Sequence, residues 1–168
     1  MFRSLGIVLC VAAALAGRES VAQQIYRRAD VDSTDQLRIV LSDGRTIRPP
    51  KDSDQVAFGQ VAISPDRRTV GWVALFRNSD TTYPIPLTLV LLTAGAERTV
   101  VSNGLPIWQW SFLADGRKVA IRQSPVHGAA PDHYELRDIQ TGSLVSSFDA
   151  DSAHAGDIPA WARTLAHQ

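Results

Sequence analysis

The sequence predicts an all-β fold in which antiparallel hairpins combine into four-stranded sheets. Three segments have the pattern of a strand, a turn with glycine and a second strand, at residues 37–47, 87–101 and 134–145. A second kind of hairpin lies between them, at residues 61–74 and 110–121. Two hairpins in alternation supply four strands per structural unit.

The spacing of the turn residues indicates an internal repeat. The turn glycines Gly44, Gly95 and Gly142 are 51 and 47 residues apart, and the turn aspartates Asp66 and Asp115 are 49 apart. One shared period of about 50 residues is typical of repeated four-stranded sheets. The chain holds about two and a half such repeats.

The residues in these turns meet structural demands. Pro65 presets φ for a turn, the carboxylates of Asp66 and Asp115 can accept a backbone hydrogen bond two residues on, and Gly116 takes a positive φ without steric cost. We therefore interpret both aspartates as turn residues and not as catalytic groups.

The N-terminus has the pattern of a signal peptide. Arg3 precedes an apolar run of 13 residues at 5–17, shorter than the roughly 20 that a membrane span needs, and Ser20-Val21-Ala22 offers small residues for cleavage. We expect a signal peptide at residues 1–22, a single domain at 23–168, and a periplasmic or secreted protein. An uncleaved anchor is the alternative, because Arg18-Glu19 separates the apolar run from the cut.

Cysteine content and charge exclude several classes of function. The only cysteine, Cys10, lies within the apolar run behind Leu9, which does not fit a lipidation signal, so the mature chain has neither disulfide nor thiolate. Its formal charge after cleavage is −1, with the charges scattered along the chain. The charge pattern therefore predicts no nucleic-acid partner and no patch for an anionic membrane, and the expected cleavage leaves no stable membrane span.

Several turn motifs resemble a known family. Ser64-Pro65-Asp66, the segments 114–120 and 138–142, and the Pro-x-Trp pairs at 106–108 and 159–161 are similar to blades of WD-type β-propellers. The likeness is greatest to the bacterial periplasmic kind with a Ser-Pro-Asp-Gly motif, and it covers residues 36–148. The motif is degenerate here, since Gln109-Trp110 separates Trp108 from the following serine. The resemblance implies blade-like sheets.

Two and a half repeats cannot close a propeller, which needs typically four to eight blades. Three arrangements follow: an open stack or two-sheet sandwich, a homo-oligomer whose chains complete a ring, or docking onto another protein's sheet edge. The chain as a fragment of a longer propeller is a further alternative. Polar, proline-bearing segments at residues 48–54, 78–84 and 125–132 are expected loops, and the tail from Asp157 is expected to start a short helix with Pro159 in its first turn.

No catalytic motif, cofactor-binding loop or metal-ligand pattern occurs in the sequence. The residues His127, Asp132, His133, His154 and Asp157 offer an alternative as metal ligands or as an acid/base group, although their spacing fits no known pattern. We predict no catalytic, metal or cofactor residues.

Aromatic side chains are the better candidates for a binding surface. Trp108 and Trp110 share the same parity on a predicted strand and should face one side together, either as core, expected for at least one of them, or as a platform. Tyr83, His127 and His133 complete the candidate binding residues.

Two functional hypotheses from different classes follow. The first, which we prefer, is a non-catalytic exported interaction module that binds a protein or peptide through its loops or sheet edges. The second is a small hydrolase-like or carbohydrate-active domain that uses the Asp132 and His133 loop.

Overall fold

In a computed structural model, eleven β-strands and one short helix make up the described part of the chain. The structure describes residues 25–93, 96–101, 104–127, 130–150 and 158–166. The expected signal peptide, Gly95, His154 and Asp157 lie outside these residues. No helix within them is long and apolar enough to cross a membrane.

The first sheet has three antiparallel strands, β1 (Tyr26–Val31), β2 (Leu37–Leu41) and β3 (Thr46–Ile47). Burial alternates along β2, as expected for a strand with one covered face. The hairpin predicted at residues 37–47 is confirmed. Strand β1 was not predicted, because Arg-Arg-Ala-Asp lacks alternation and Asp35, at φ 56°, stands in its turn where a glycine would have been recognised.

The middle sheet contains β4 (Gln55–Ile63), β5 (Thr69–Phe76), β6 (Ile85–Thr93) and β7 (Ala96–Val101), paired in chain order. Both predicted hairpins, β4–β5 and β6–β7, are confirmed. Strand β5 is buried at six successive positions from its first residue. Burial on both faces means that this sheet lies between two covering layers.

The last sheet contains β8 (Ile107–Phe112), β9 (Lys118–Gln123), β10 (Asp132–Asp138) and β11 (Leu144–Ala150), also paired in chain order. Its two hairpins, β8–β9 and β10–β11, correspond to the predicted ones. Four strands per repeat is therefore the observed arrangement in the middle and last sheets.

The three sheets are stacked face to face through two apolar clusters. The first cluster joins the first and middle sheets, and the second joins the middle and last sheets. The architecture is therefore an incomplete propeller-like stack of three blade-like sheets, as the repeat length and turn signals predicted. The buried members of the first cluster are Tyr26, Leu37, Ile39, Leu41, Phe58, Val70, Trp72, Val90 and Leu92, and those of the second are Val73, Leu89, Leu91, Ile107, Trp110, Val119, Ile121 and Ile139.

Each end of the stack carries its own covering. The helix α1 (Arg163–Ala166) and the turn before it bury Ala162 and Leu165 against the outer face of the last sheet. The outer face of the first sheet is polar: Asp30 bonds Arg28 at 3.1 Å and Arg38 at 3.1 Å. Helix α1 starts later than expected, because residues 160–162 after Pro159 form a turn.

Candidate functional site

Trp108 and Trp110 do not follow the strict alternation that the sequence suggested. The pairing of β8 with β9 shifts register between Ile107 and Gln109, so that two residues of β8 lie opposite one of β9. This bulge puts Ile107 and Trp110, three residues apart, into the same apolar cluster. Trp108 is not a member of that cluster, although Trp108 and Trp110 both line a surface groove beside Gln60.

Trp110 is a core residue. Its side chain is 9% exposed and its ring meets Phe112 edge to face, with the centroids 5.1 Å apart. Core packing was expected for at least one of the two tryptophans, and Trp110 meets that expectation.

Trp108 is half-buried and connects three segments of the chain. Its indole Nε1 donates to the carbonyl of Ser124 at 2.9 Å, and its own carbonyl accepts from Nε2 of Gln60 at 2.7 Å. Gln60 lies at a bulge of β4 and has a φ of 46°. The side chain of Trp108 thus holds the start of the β9–β10 loop, and its backbone is linked to the middle sheet.

Tyr83 and His127 lie in loops of two different sheets at the same end of the stack. Tyr83 is 49% exposed in the β5–β6 loop, where Thr81 Oγ1 donates to its carbonyl at 2.6 Å. His127, in the β9–β10 loop, places its Nε2 3.2 Å from the carbonyl of Asp80. We call residues 77–84 and 124–127 together the loop surface. Two sheets contribute to this surface, and the His127 contact joins the two loops.

Asp132 and His133 lie in strand β10 and not in a loop, which corrects the placement behind the enzymatic hypothesis. Successive residues of a strand point to opposite faces. Asp132 accepts from Arg122 Nε at 2.8 Å, and His133 Nδ1 contacts Asp149 of β11 at 2.5 Å. The two side chains therefore have different partners and do not converge on one substrate position.

A row of charged side chains on β10 was missed by the sequence analysis. Glu135 is fully buried and bonds Arg137 through two hydrogen bonds, at 2.8 and 3.2 Å. His133 Nε2 lies 3.5 Å from the same carboxylate. The alternation His133-x-Glu135-x-Arg137 was the available signal, because a strand places these three residues on one face.

The opposite face of β10 carries Tyr134, which packs on Phe148 at a centroid distance of 6.3 Å. Burial, and next the charge of Asp132, raise the pKa of Tyr134 above its ordinary value. The phenol is protonated at neutral pH even at the ordinary pKa of tyrosine, and Tyr134 belongs to the apolar cluster that contains Ala162 and Leu165 beside α1.

Within the described residues, no group of three or more His, Cys, Asp or Glu side chains is arranged to hold a metal ion. His127 and His133 have separate partners, at Asp80 and Asp149. The remaining members of the suggested ligand set, His154 and Asp157, lie outside the described part of the chain.

Neither the known protein families nor the curated proteins contain a match to this chain. Among solved structures, it is similar to the crystal structure of TolB from Acinetobacter baumannii, with a TM-score of 0.44 and 18% sequence identity. The match covers 77% of this chain and 30% of that one, so the chain spans less than a third of that protein's length.

Proposed function

We propose that the protein is an exported, non-catalytic interaction module that binds a protein or peptide partner through its loop surface. The observation that carries the proposal is the joining of two loops from different sheets by His127 and Asp80 beside the half-exposed ring of Tyr83. Loops held by a rigid β scaffold are the usual place for recognition, and tyrosine is enriched among the residues that dominate binding energy.

Trp108 supports this surface from below. Its indole hydrogen bond to Ser124 fixes the strand end from which the His127 loop departs. Export belongs to the same proposal, with cleavage of residues 1–22 and release of the domain 23–168 into the periplasm or the medium. The degenerate WD-type motifs agree with such a role.

The proposal is tested with the chain from Gln23 to Gln168 and a displayed library of random peptides. Enriched peptides are expected to bind the wild type saturably and to lose at least about tenfold in affinity for Tyr83→Ala, because truncating an aromatic residue that dominates binding typically costs about 2 kcal/mol or more. Thr46→Ala, on the outer face of the first sheet, is the matched surface control and should bind as the wild type. Equal affinity for wild type and Tyr83→Ala would exclude the loop surface.

Export is tested separately with residues 1–22 fused to a reporter enzyme that is active only outside the cytoplasm. The full chain, recovered from the periplasm or the medium, should begin at Gln23 when its N-terminus is sequenced. Retention in the cytoplasmic fraction would contradict this part of the proposal.

A further inference from the structure

Three turns at the end of the stack opposite the loop surface share one sequence pattern, Asp-x-Arg, at residues 43–45, 66–68 and 115–117. In each turn the aspartate Oδ1 accepts the arginine backbone N–H, at 2.9, 3.1 and 2.9 Å. The middle residue is left-handed every time, with φ values of 86°, 60° and 65°. The same local structure therefore places one arginine on each of the three sheets.

The three arginines differ in what their guanidinium groups bind. Arg45 bonds the carboxylate of its own turn, with Nε 2.6 Å from Asp43 Oδ2. Arg68 and Arg117 are exposed, and neither side chain has a hydrogen bond or an ion pair with any residue whose side chain the structure describes, which leaves out residues 94–103. In the second turn the aspartate accepts a side-chain hydrogen bond from serine and not from arginine: Ser64 Oγ donates to Asp66 Oδ1 at 2.6 Å.

These two arginines line the same cleft. It has a volume of about 660 Å³ and lies between the middle and last sheets, with Arg68, Thr69 and Thr93 on one wall and Arg117 and Asp138 on the other. Small-molecule sites are typically 300–1,000 Å³ and combine such a cavity with a few placed polar groups. The cleft is therefore of a suitable size for a small ligand.

The hydrogen-bonding groups of the cleft indicate what kind of ligand it takes. One oxygen of each carboxylate is engaged: Asp66 Oδ1 accepts two hydrogen bonds, and Asp138 Oδ1 accepts the amide and hydroxyl of Thr141 at 2.8 and 3.0 Å. The hydroxyls of Thr69 and Thr93 share one hydrogen bond of 2.9 Å, which leaves one of their two protons to donate. The two guanidinium groups and this proton therefore give the cleft more hydrogen-bond donors than the Oδ2 atoms of the two aspartates give acceptors.

We propose that this cleft binds a small organic anion, with Arg68 and Arg117 donating to a carboxylate or phosphate group. Guanidinium matches the geometry of both oxyanions and often binds them with two parallel hydrogen bonds. Because Asp66 and Asp138 balance the two arginines in charge, recognition depends on direct guanidinium contact and not on long-range attraction.

The test titrates the folded domain with succinate and, separately, with inorganic phosphate at constant ionic strength, following backbone amide resonances by NMR. Saturable shifts are expected at Thr69, Thr93 and Gly116, which line the cleft. Arg68→Gln and Arg117→Gln should each weaken binding at least about tenfold. Arg45→Gln is the matched control, since it removes the equivalent arginine from the turn outside the cleft.

Saturation by succinate alone identifies a carboxylate ligand, and saturation by phosphate alone identifies a phosphate ligand. Either outcome supports the proposed site. The proposal is overturned if neither anion gives saturable shifts, or if Arg45→Gln weakens binding as much as Arg68→Gln. A folded spectrum of each variant establishes that loss of binding is not loss of structure.

Discussion

The six-membered ring of Trp110 occupies the space that a side chain at Gly71 would need. A Cβ built at Gly71 overlaps Cη2 of Trp110 and lies 3.0 Å from Cδ2 of Leu91. Gly71 is in the interior of β5, where glycine ordinarily weakens a strand. Its place there is explained by the close approach of the last sheet to the middle sheet.

Gly71→Ala is expected to destabilise the protein by about 1–3 kcal/mol, because overpacking forces side chains out of their preferred rotamers. Urea unfolding followed by tryptophan fluorescence measures the change. The double variant Gly71→Ala with Trp110→Leu should cost less than the sum of the single variants, since the smaller side chain makes room for the methyl group. Additive effects would show that the two residues do not compete for one space.

Arg67→Gly is expected to raise the free energy of unfolding by about 0.5–1 kcal/mol. Arg67 has a φ of 60°, a conformation that costs non-glycine residues roughly 1–2 kcal/mol and that glycine adopts freely. The carbonyl of Arg67 still accepts the N–H of Tyr26, because that bond uses only backbone atoms. Thermal and urea unfolding of the wild type and of Arg67→Gly measure the increase in the free energy of unfolding.

The equivalent position in the last sheet provides the converse of this variant. Gly116 has a φ of 65°, and a Cβ there would lie 3.0 Å from Cγ of Asp66. Gly116→Ala should therefore lower stability through both strain and contact. If Arg67→Gly destabilised the protein as Gly116→Ala does, the conformational argument would fail.

Glu135→Ala is expected to cost about 3–5 kcal/mol, because it leaves the largely buried guanidinium of Arg137 without its carboxylate. Replacing both residues, as in Glu135→Leu with Arg137→Leu, should recover much of that loss. Arg122→Ala with Asp132→Ala, which removes a pair more than a quarter exposed, is the comparison and should cost less. Calorimetric unfolding of the set measures these differences.

Asp138 is expected to contribute stability that depends on acid pH. The amide and then the hydroxyl of Thr141 lower the pKa of Asp138 in the folded state. Its contribution is therefore complete above the unfolded value of about 3.9 and is lost as the pH falls through the lower folded value. Wild type should be more stable than Asp138→Ala at pH 7, and the difference should shrink below about pH 4.

Unfolding of both proteins across pH 2–7 measures this dependence. Asp54→Ala is the control, because Asp54 is exposed and its side chain caps no turn among the described residues. It should leave stability at pH 7 unchanged. A difference between wild type and Asp138→Ala that persisted undiminished at pH 2 would contradict the linkage.

Local turn chemistry made most of the strands predictable. The glycines, Pro65 and the turn aspartates set both the hairpins and their 50-residue period, and the structure contains all five hairpins in their predicted positions. Strand β1 was not predicted because its own sequence has no apolar–polar alternation; only its pairing with β2 shows that it is a strand. Asp35 adopts a positive φ in the turn between β1 and β2, and a sequence indicates such a conformation reliably only where the residue is glycine.

The candidate site was less predictable, because it depends on contacts between sheets. A one-residue bulge in β8 breaks the alternation between Trp108 and Trp110, and no residue type in the sequence predicts such a bulge. The contact between His127 and Asp80 joins residues that are 47 positions apart in the sequence. Asp132 and His133 were assigned to a loop because Pro131 precedes them, although strand pairing begins at Asp132.

The position of the middle sheet between its two neighbours has a consequence for how the molecule opens. Both large apolar clusters contain residues of this sheet. Detaching either outer sheet therefore disrupts one cluster, whereas opening the middle sheet disrupts both. Stability in stacked repeats is approximately a sum of nearest-neighbour terms. Native-state hydrogen exchange should therefore be hierarchical, with the slowest amides in β5 and β6 and separate, lower-energy openings for the sheets on either side.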